Sequence, residues 1–262
     1  MHMKYIVANF KMNPQKRTDA RVWMEQFRAW SLRDEQSENI SIVLCPPFVW
    51  LPLFGLEDDR SRNYLGAQDI FWEDSGAFTG EISGKMLKNS ECAYVIIGHS
   101  ERRALGETDE IVNKKIKAAL AVGLTPILAV GERTRSVNRM GIVERETSEV
   151  LDAQLKGALV GVSKANLKSL IVAYEPVWAV GTGIVDTPED ALKAALTIRK
   201  TVAEISGYAK LRKSLPVLYG GSVSAKNAGP FLKEDGLDGV LVGGASLDVK
   251  EFLNIVATAD RR

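Results

Sequence analysis

Two cysteines and two histidines are all that 262 residues offer of the soft metal-binding side chains. Cys45 and Cys92 sit in or beside apolar runs, and no C-x-x-C occurs. That excludes a disulfide-stapled secreted framework and a paired redox centre; two buried free thiols in a reducing compartment are expected. Charge of one sign is missing as well. Lysine and arginine number 34 against 33 acidic residues, a net charge of +1. No bulk field therefore draws nucleic acid or an anionic membrane to this chain, and any anionic ligand must be caught locally. No apolar run approaches the roughly 18 residues of a membrane span. The opening MHMKYIVANF has no apolar stretch of signal-peptide length, so a cytoplasmic enzyme or binding protein is expected. Met1, His2 and Met3 fit a cloning remnant as well as a natural start.

What is present is repetition. Eight short apolar runs recur: YIVANF (5–10), ISIVLC (40–45), NYLGAQ (63–68), AYVIIG (93–98), TPILAVG (125–131), LIVAYE (170–175), PVLYGG (216–221) and GVLVGG (239–244). They are rich in β-branched residues and do not alternate with polar ones, which suits parallel strands covered on both faces. Amphipathic helical segments separate most of them. In Thr108–Val122 the residues Ile111, Val112, Ile116, Ala119 and Leu120 form one stripe. Thr187-Pro188-Glu189-Asp190 reads as a helix start, with a capping threonine, proline at the first helical position and acids in the first turn. No low-complexity linker or compositional break divides the chain. The expectation is one domain over residues 1–262, a single (β/α)8 barrel with a parallel eight-stranded core. A doubly wound open sheet is the structural alternative; it needs a G-x-G-x-x-G after the first strand, and YIVANFKMN has no glycine.

Active sites of such barrels lie at the carboxyl ends of the strands, so the residue closing each run carries functional weight. The first run closes on Asn9-Phe10-Lys11, the fourth on Gly98-His99-Ser100-Glu101, the sixth on Glu175, and the last two on Gly220-Gly221-Ser222 and Gly243-Gly244. A Gly-Gly pair before a helix either makes a tight turn or bares N–H groups to an anion. Two such pairs on the last two strands favour a phosphate. His99 is either a satisfied core imidazole or, near the positive end of a helix opening at Ser100, a neutral donor to a carbonyl oxygen. Lys11 is a solvated loop lysine, a fixed charge beside a phosphate, or a Schiff-base lysine as in aldolases; a neighbouring dianion favours its ammonium form and argues against the last. Glu175 ends an apolar strand, where a dry carboxylate takes up a proton readily and suits removal of a proton from carbon. Pro176 stiffens the next residue and Gly181-Thr182-Gly183 is supple, the build of a lid that closes over a ligand. A catalytically dead barrel that only binds would be expected to lack one of Lys11, His99 and Glu175; all three are present.

Taken together, NFKMN (9–13), GAFTGEIS (76–83), GHSERR (98–103), GETDE (106–110), GLTPI (123–127), AYEPVWAVGTG (173–183), YGGSV (219–223) and LVGGASL (241–247) resemble the triosephosphate isomerase family, in order and spacing, from Lys4 to near the C-terminus. The resemblance implies interconversion of dihydroxyacetone phosphate and D-glyceraldehyde 3-phosphate in glycolysis and gluconeogenesis, without cofactor or metal. It implies Glu175 as the base, His99 as the electrophile, and Lys11 and Asn9 as substrate and enediolate ligands. Gly181, Ser222, Gly243 and Gly244 would hold the phosphate, Glu101 would support the site from behind, and Glu132 and Tyr219 would latch the lid. It further implies a homodimer in which the loop Gln68–Glu81 enters the partner's site, with Thr79 reaching toward Asn9 and Lys11; the bland alternative is a surface loop, unusually apolar for one. Three departures stand out. Phe10 replaces a usual tryptophan, Ala129 replaces a usual cysteine and should loosen the packing around the base, and Ile184-Val185-Asp186 replaces the usual Lys-Thr-Ala at the lid's end.

Overall fold

In the computed structural model the described residues are 3–32, 38–55, 63–134, 142–179 and 186–260. Eight strands, β1 (Lys4–Asn9), β2 (Ile40–Cys45), β3 (Asn63–Ala67), β4 (Cys92–Ile97), β5 (Thr125–Val130), β6 (Ile171–Tyr174), β7 (Val217–Tyr219) and β8 (Gly239–Val242), pair in parallel and in chain order, and β8 returns to β1. The sheet is a closed barrel with helices between strands, as the recurring runs predict. A closed sheet has no edge, so every strand finds ladder partners on both sides.

Successive strand residues face opposite ways, and the core divides accordingly. Val7, Val43, Ile96, Ile127, Ile171, Leu218 and Leu241 pack together inside the barrel, whereas Ile6, Ile42, Leu128, Val172 and Val240 pack outward beneath the helices. This two-sided burial is why the runs read as continuous rather than alternating. The helix Arg17–Ser31 closes one flank through Ala20, Trp23, Met24 and Phe27, a stripe at helical spacing. Thr187 caps Pro188–Ser206 as expected, its hydroxyl accepting from the Asp190 N–H at 3.1 Å.

The helix Asp109–Ala121 buries Val112, Ile116 and Ala119, but also Asn113 and Lys115. These polar residues are accommodated because each is bonded. Asn113 Nδ2 donates to the carbonyls of Ala158 and Val160 (2.7 and 2.9 Å), and Lys115 Nζ meets Asp69 and Glu107 (2.6 and 2.9 Å). Burial still pushes the Asp69 carboxyl above the usual range despite the Lys115 charge. Both cysteines are buried and free; burial raises the Cys45 thiol well above its ordinary value and Cys92 to about 12. Among the described residues no helix is long and apolar enough to cross a membrane. The apolar runs overshoot the strands: Phe10, Gln68, Gly98, Gly131 and Glu175 each follow the last ladder residue. The chain leaves the sheet at these points, and the candidate site begins there.

Candidate active site

Asn9 is the last residue of β1 and is buried. Two residues on, Lys11 has a positive φ of 53°, a conformation that a side chain with a Cβ adopts only when its surroundings impose it. They do so here. Its N–H donates to Asn9 Oδ1 at 3.0 Å, and its carbonyl accepts from Gln68 Nε2 at 2.9 Å. The same Gln68 amide donates to the Cys45 carbonyl at 2.8 Å, tying the ends of β1, β2 and β3 together. Phe10 lies between them in chain order and packs edge-on against Trp23 and Phe54 (centroids 4.8 and 5.2 Å), so the missing tryptophan is replaced by an aromatic cluster. The result aims Lys11 Nζ at Glu101 Oε1, 2.7 Å away. Glu101 is half exposed and stands beside Lys11, where the expectation had it supporting the site from behind.

His99 caps the short helix Ser100–Ala104, and its Nδ1 accepts the Glu101 N–H at 3.2 Å. An acceptor at Nδ1 places the ring proton on Nε2, because one nitrogen of a neutral imidazole donates while the other accepts. Nε2 lies 3.1 Å from Glu175 Oε1, and Glu175 Oε2 accepts the Ser100 N–H at 3.0 Å. Both side chains are almost wholly buried, at 6% and 2% exposure. Glu175 thus hangs on two donors that come from β4's exit, and one of them is the N–H expected to serve a substrate.

Beside this pair opens a cavity of about 310 Å3, walled by Asn9, Lys11, His99, Gly220–Ser222 and Gly243–Gly244 among others. Glu175 sits below its wall rather than in it: a methyl on Gly220 would come within 3.0 Å of Glu175 Cγ. Gly131 permits the neighbouring strand exits to touch, since a Cβ there would lie 1.7 Å from the Glu175 carbonyl oxygen. Ser222 Oγ donates to the Ala179 carbonyl at 2.6 Å, joining the glycine-rich turn after β7 to the segment that leads into the predicted lid.

Gly181, with Ile184 and Val185, lies outside the described residues. The roots on either side are described. Glu132 Oε1 accepts from Tyr174 Oη (3.0 Å) and Trp178 Nε1 (2.7 Å), holding the entry to residues 180–185. Tyr219 Oη accepts the Asp186 N–H at 3.3 Å and holds the exit. Burial, with the Glu132 and Asp186 charges adding to it, raises Tyr174 far above the usual phenol range; burial raises Tyr219 too, so both hydroxyls keep their protons.

Of the residues singled out by sequence, Asn9, Lys11, His99, Ser222, Gly243 and Gly244 share one cavity wall, with Glu101 and Glu175 bonded to them. Thr79 is not on that wall; it lies on the exposed stretch 73–80. Sequence reasoning missed Gln68, Ser100 and Trp178. Gln68 carries the same signal as the others, a polar residue closing an apolar run. Ser100 contributes only a backbone N–H and has no sequence signal.

A family model described as triosephosphate isomerase matches residues 4–259. The chain is 43% identical to triosephosphate isomerase of Dictyoglomus thermophilum over 259 residues, covering 98% of this chain and 99% of that protein. It is 44% identical to triosephosphate isomerase of Dehalococcoides mccartyi strain BAV1 over 260 residues, covering 99% and 97%. With triosephosphate isomerase of Chloroherpeton thalassium it shares 40% over 261 residues, 99% and 100% of the two chains.

Proposed function

The chain belongs to the triosephosphate isomerase family and interconverts dihydroxyacetone phosphate and D-glyceraldehyde 3-phosphate, and we propose that it does so with Glu175 as the proton-transferring base and His99, Lys11 and Asn9 as the groups that hold the enediolate. The single observation that carries this assignment is the contact of Glu175 with His99 Nε2 at the edge of the glycine-walled cavity.

In the resting arrangement base and electrophile satisfy each other. Substrate entry breaks that pair: the carboxylate turns past Gly220 toward the substrate carbon, and the freed Nε2–H donates to the carbonyl oxygen. The imidazole's lost partner is replaced by the substrate carbonyl oxygen. As the carbon loses its proton, negative charge grows on oxygen, within reach of the freed Nε2–H and of the Lys11 ammonium on the same cavity wall. Preorganised donors of this kind contribute about 3 kcal/mol each in such steps. Asn9 Oδ1 is occupied by the Lys11 N–H, which leaves its amide hydrogens for substrate. The N–H groups of Ser222, Gly243, Gly244 and Gly181 grip the phosphate, and that binding energy drives closure of the lid over the intermediate. A Schiff base on Lys11 is disfavoured by its ion pair with Glu101, the setting of a fixed charge rather than a nucleophile.

The 262 residues act as one domain, in the cytoplasm, where two buried free thiols persist. The loop Gln68–Glu81 enters a second copy. Its support is an apolar knob on an exposed stretch: Phe78 packs at a tilt against Phe71 at 4.8 Å yet stays 43% exposed, and Phe71 packs on Trp72 at 4.1 Å. Thr79 would then reach Asn9 and Lys11 of the other protomer.

The test of the base is Glu175→Asp in a coupled assay with glyceraldehyde 3-phosphate. Withdrawing the carboxylate by one methylene should lower kcat about 100-fold with the fold intact. Near-normal turnover would remove Glu175 from the role. Sedimentation of the unaltered chain as a monomer would remove the dimer.

A further inference from the structure

On the far side of Glu175 from the strand-end cavity lies a second, much smaller space of about 20 Å3, bordered by Gly98, Ser100, Arg103, Ala129, Gln154 and Glu175 among others. That is room for one water and little else. Its border is partly polar. Arg103 borders it with a guanidinium of which two of the three nitrogens are bonded: Nε donates to the Gly98 carbonyl at 2.8 Å and Nη1 to Asp109 Oδ1 at 2.6 Å. Nη2 is buried and has no acceptor among the described residues. A methyl placed on Gly98 would lie 3.2 Å from Nη2, 3.2 Å from Val112 Cγ2 and 3.3 Å from the Ala129 carbonyl oxygen, so a donor in need and a potential acceptor lie close together beside Gly98. Glu175 adds a second acceptor. Oε2 takes one hydrogen bond from the Ser100 N–H, Oε1 lies 3.1 Å from His99 Nε2, and a carboxylate oxygen accepts two.

We infer that this space is a built site for a single ordered water, which accepts from Arg103 Nη2 and donates to the Glu175 carboxylate and the Ala129 carbonyl, and that Arg103 is thereby a positioning residue for the base. The inference rests on Glu175 being that base. It follows from what each group lacks: the guanidinium needs an acceptor, the carboxylate has lone pairs to spare, and Ala129 supplies only a methyl and leaves the room. A water meets all three demands with the two to four partners that hold a buried water in place. The bridge would hold the carboxylate in its resting position from behind, while Ser100 and His99 hold it from the side. It would also let the carboxylate turn toward substrate without leaving a cation facing a dry void, because the water stays with Arg103.

Two experiments test this. The first is a high-resolution crystal structure of the unaltered chain. A water within hydrogen-bonding distance of Arg103 Nη2 and of the Glu175 carboxylate is the expected result; a dry space, or a water bound to neither, overturns the inference. The second compares Ala129→Val with Ala129→Ser in steady-state kinetics. Valine fills the space with methyls and expels the water, so kcat should fall about tenfold with KM unchanged, the mark of a misplaced base rather than a damaged substrate site. Serine adds a hydroxyl at a residue that lines the space and should keep kcat near that of the unaltered chain. Equal kcat for the two variants, in either direction, overturns the positioning role, since packing alone would not distinguish them so. If the valine variant fails to fold, the crystal structure still decides. Failure of Glu175→Asp to lower turnover would instead sink the base assignment while leaving the water in density, so the two failures are separable.

Discussion

The two ends of the barrel treat buried charge in opposite ways. At the amino end, Arg199 donates from all three guanidinium nitrogens: Nε to the Leu215 carbonyl (3.0 Å), Nη1 to the Gly236 carbonyl (2.7 Å) and Nη2 to Asp238 Oδ2 (2.6 Å). Asp238 takes the Val217 N–H as well, and nearby Lys4 donates to the Leu237 carbonyl at 2.6 Å, its ammonium made less basic by burial. These partners are fixed backbone and side-chain atoms that stitch β7 and β8 to the helix Pro188–Ser206. At the carboxyl end, Glu175 pairs with His99 and Lys11 with Glu101, contacts that under the proposed roles a substrate would replace. A charge with fixed partners holds the fold; a charge paired with an exchangeable partner holds a site in readiness.

The sharpest way to break this comparison is to cross the readouts. Lys11→Ala should cost about 3 kcal/mol of transition-state stabilisation, a fall in kcat/KM of more than 100-fold, with little change in Tm. Arg199→Ala should do the reverse. Leaving Asp238 without its partner should cost about 3 kcal/mol in denaturant unfolding while kcat/KM of the folded fraction stays put. If Arg199→Ala lost activity and kept stability, the contrast would be wrong.

Smaller effects sharpen it. Tyr174 and Tyr219 hold their protons above the usual phenol range in the fold, while in the unfolded chain they release them near pH 10. Their contribution to stability is therefore complete below about pH 10 and lost as pH rises above it. Ultraviolet titration should find two of the six tyrosines silent until the protein unfolds in alkali. The raised Cys45 and Cys92 thiols carry the same sign, so thiolate is scarce at pH 8; a disulfide-exchange reagent should find no fast thiol in the native chain and two after denaturation. The least effect is expected at the surface. Lys85 and Asp74 are 2.7 Å apart but 63% and 59% exposed, and Lys85→Ala should cost less than about 1 kcal/mol in thermal unfolding.

The amino-acid sequence by itself determined the architecture. Eight apolar runs with helical segments between them call for parallel strands covered on both faces, the lack of a glycine fingerprint after the first run argues against an open doubly wound sheet, and the closed barrel is what forms. It marked the residues of the candidate site too, because residues that end a barrel strand converge at its mouth whatever their distance along the chain: Asn9, Lys11, His99, Glu175 and the two Gly-Gly turns were readable one by one. What only the tertiary structure decided is how those groups spend their bonds. That Glu175 rests on His99 and Ser100, that Glu101 stands beside Lys11 rather than behind the site, and that Asn113 and Lys115 sit buried on a helix whose pattern marks them polar all depend on partners far away in sequence. Helix and strand periodicity is a local property that hydrophobic burial writes into neighbouring residues. A hydrogen bond is short-ranged and directional, so its partner is fixed only when the closed barrel brings distant strand ends within about 3 Å of each other.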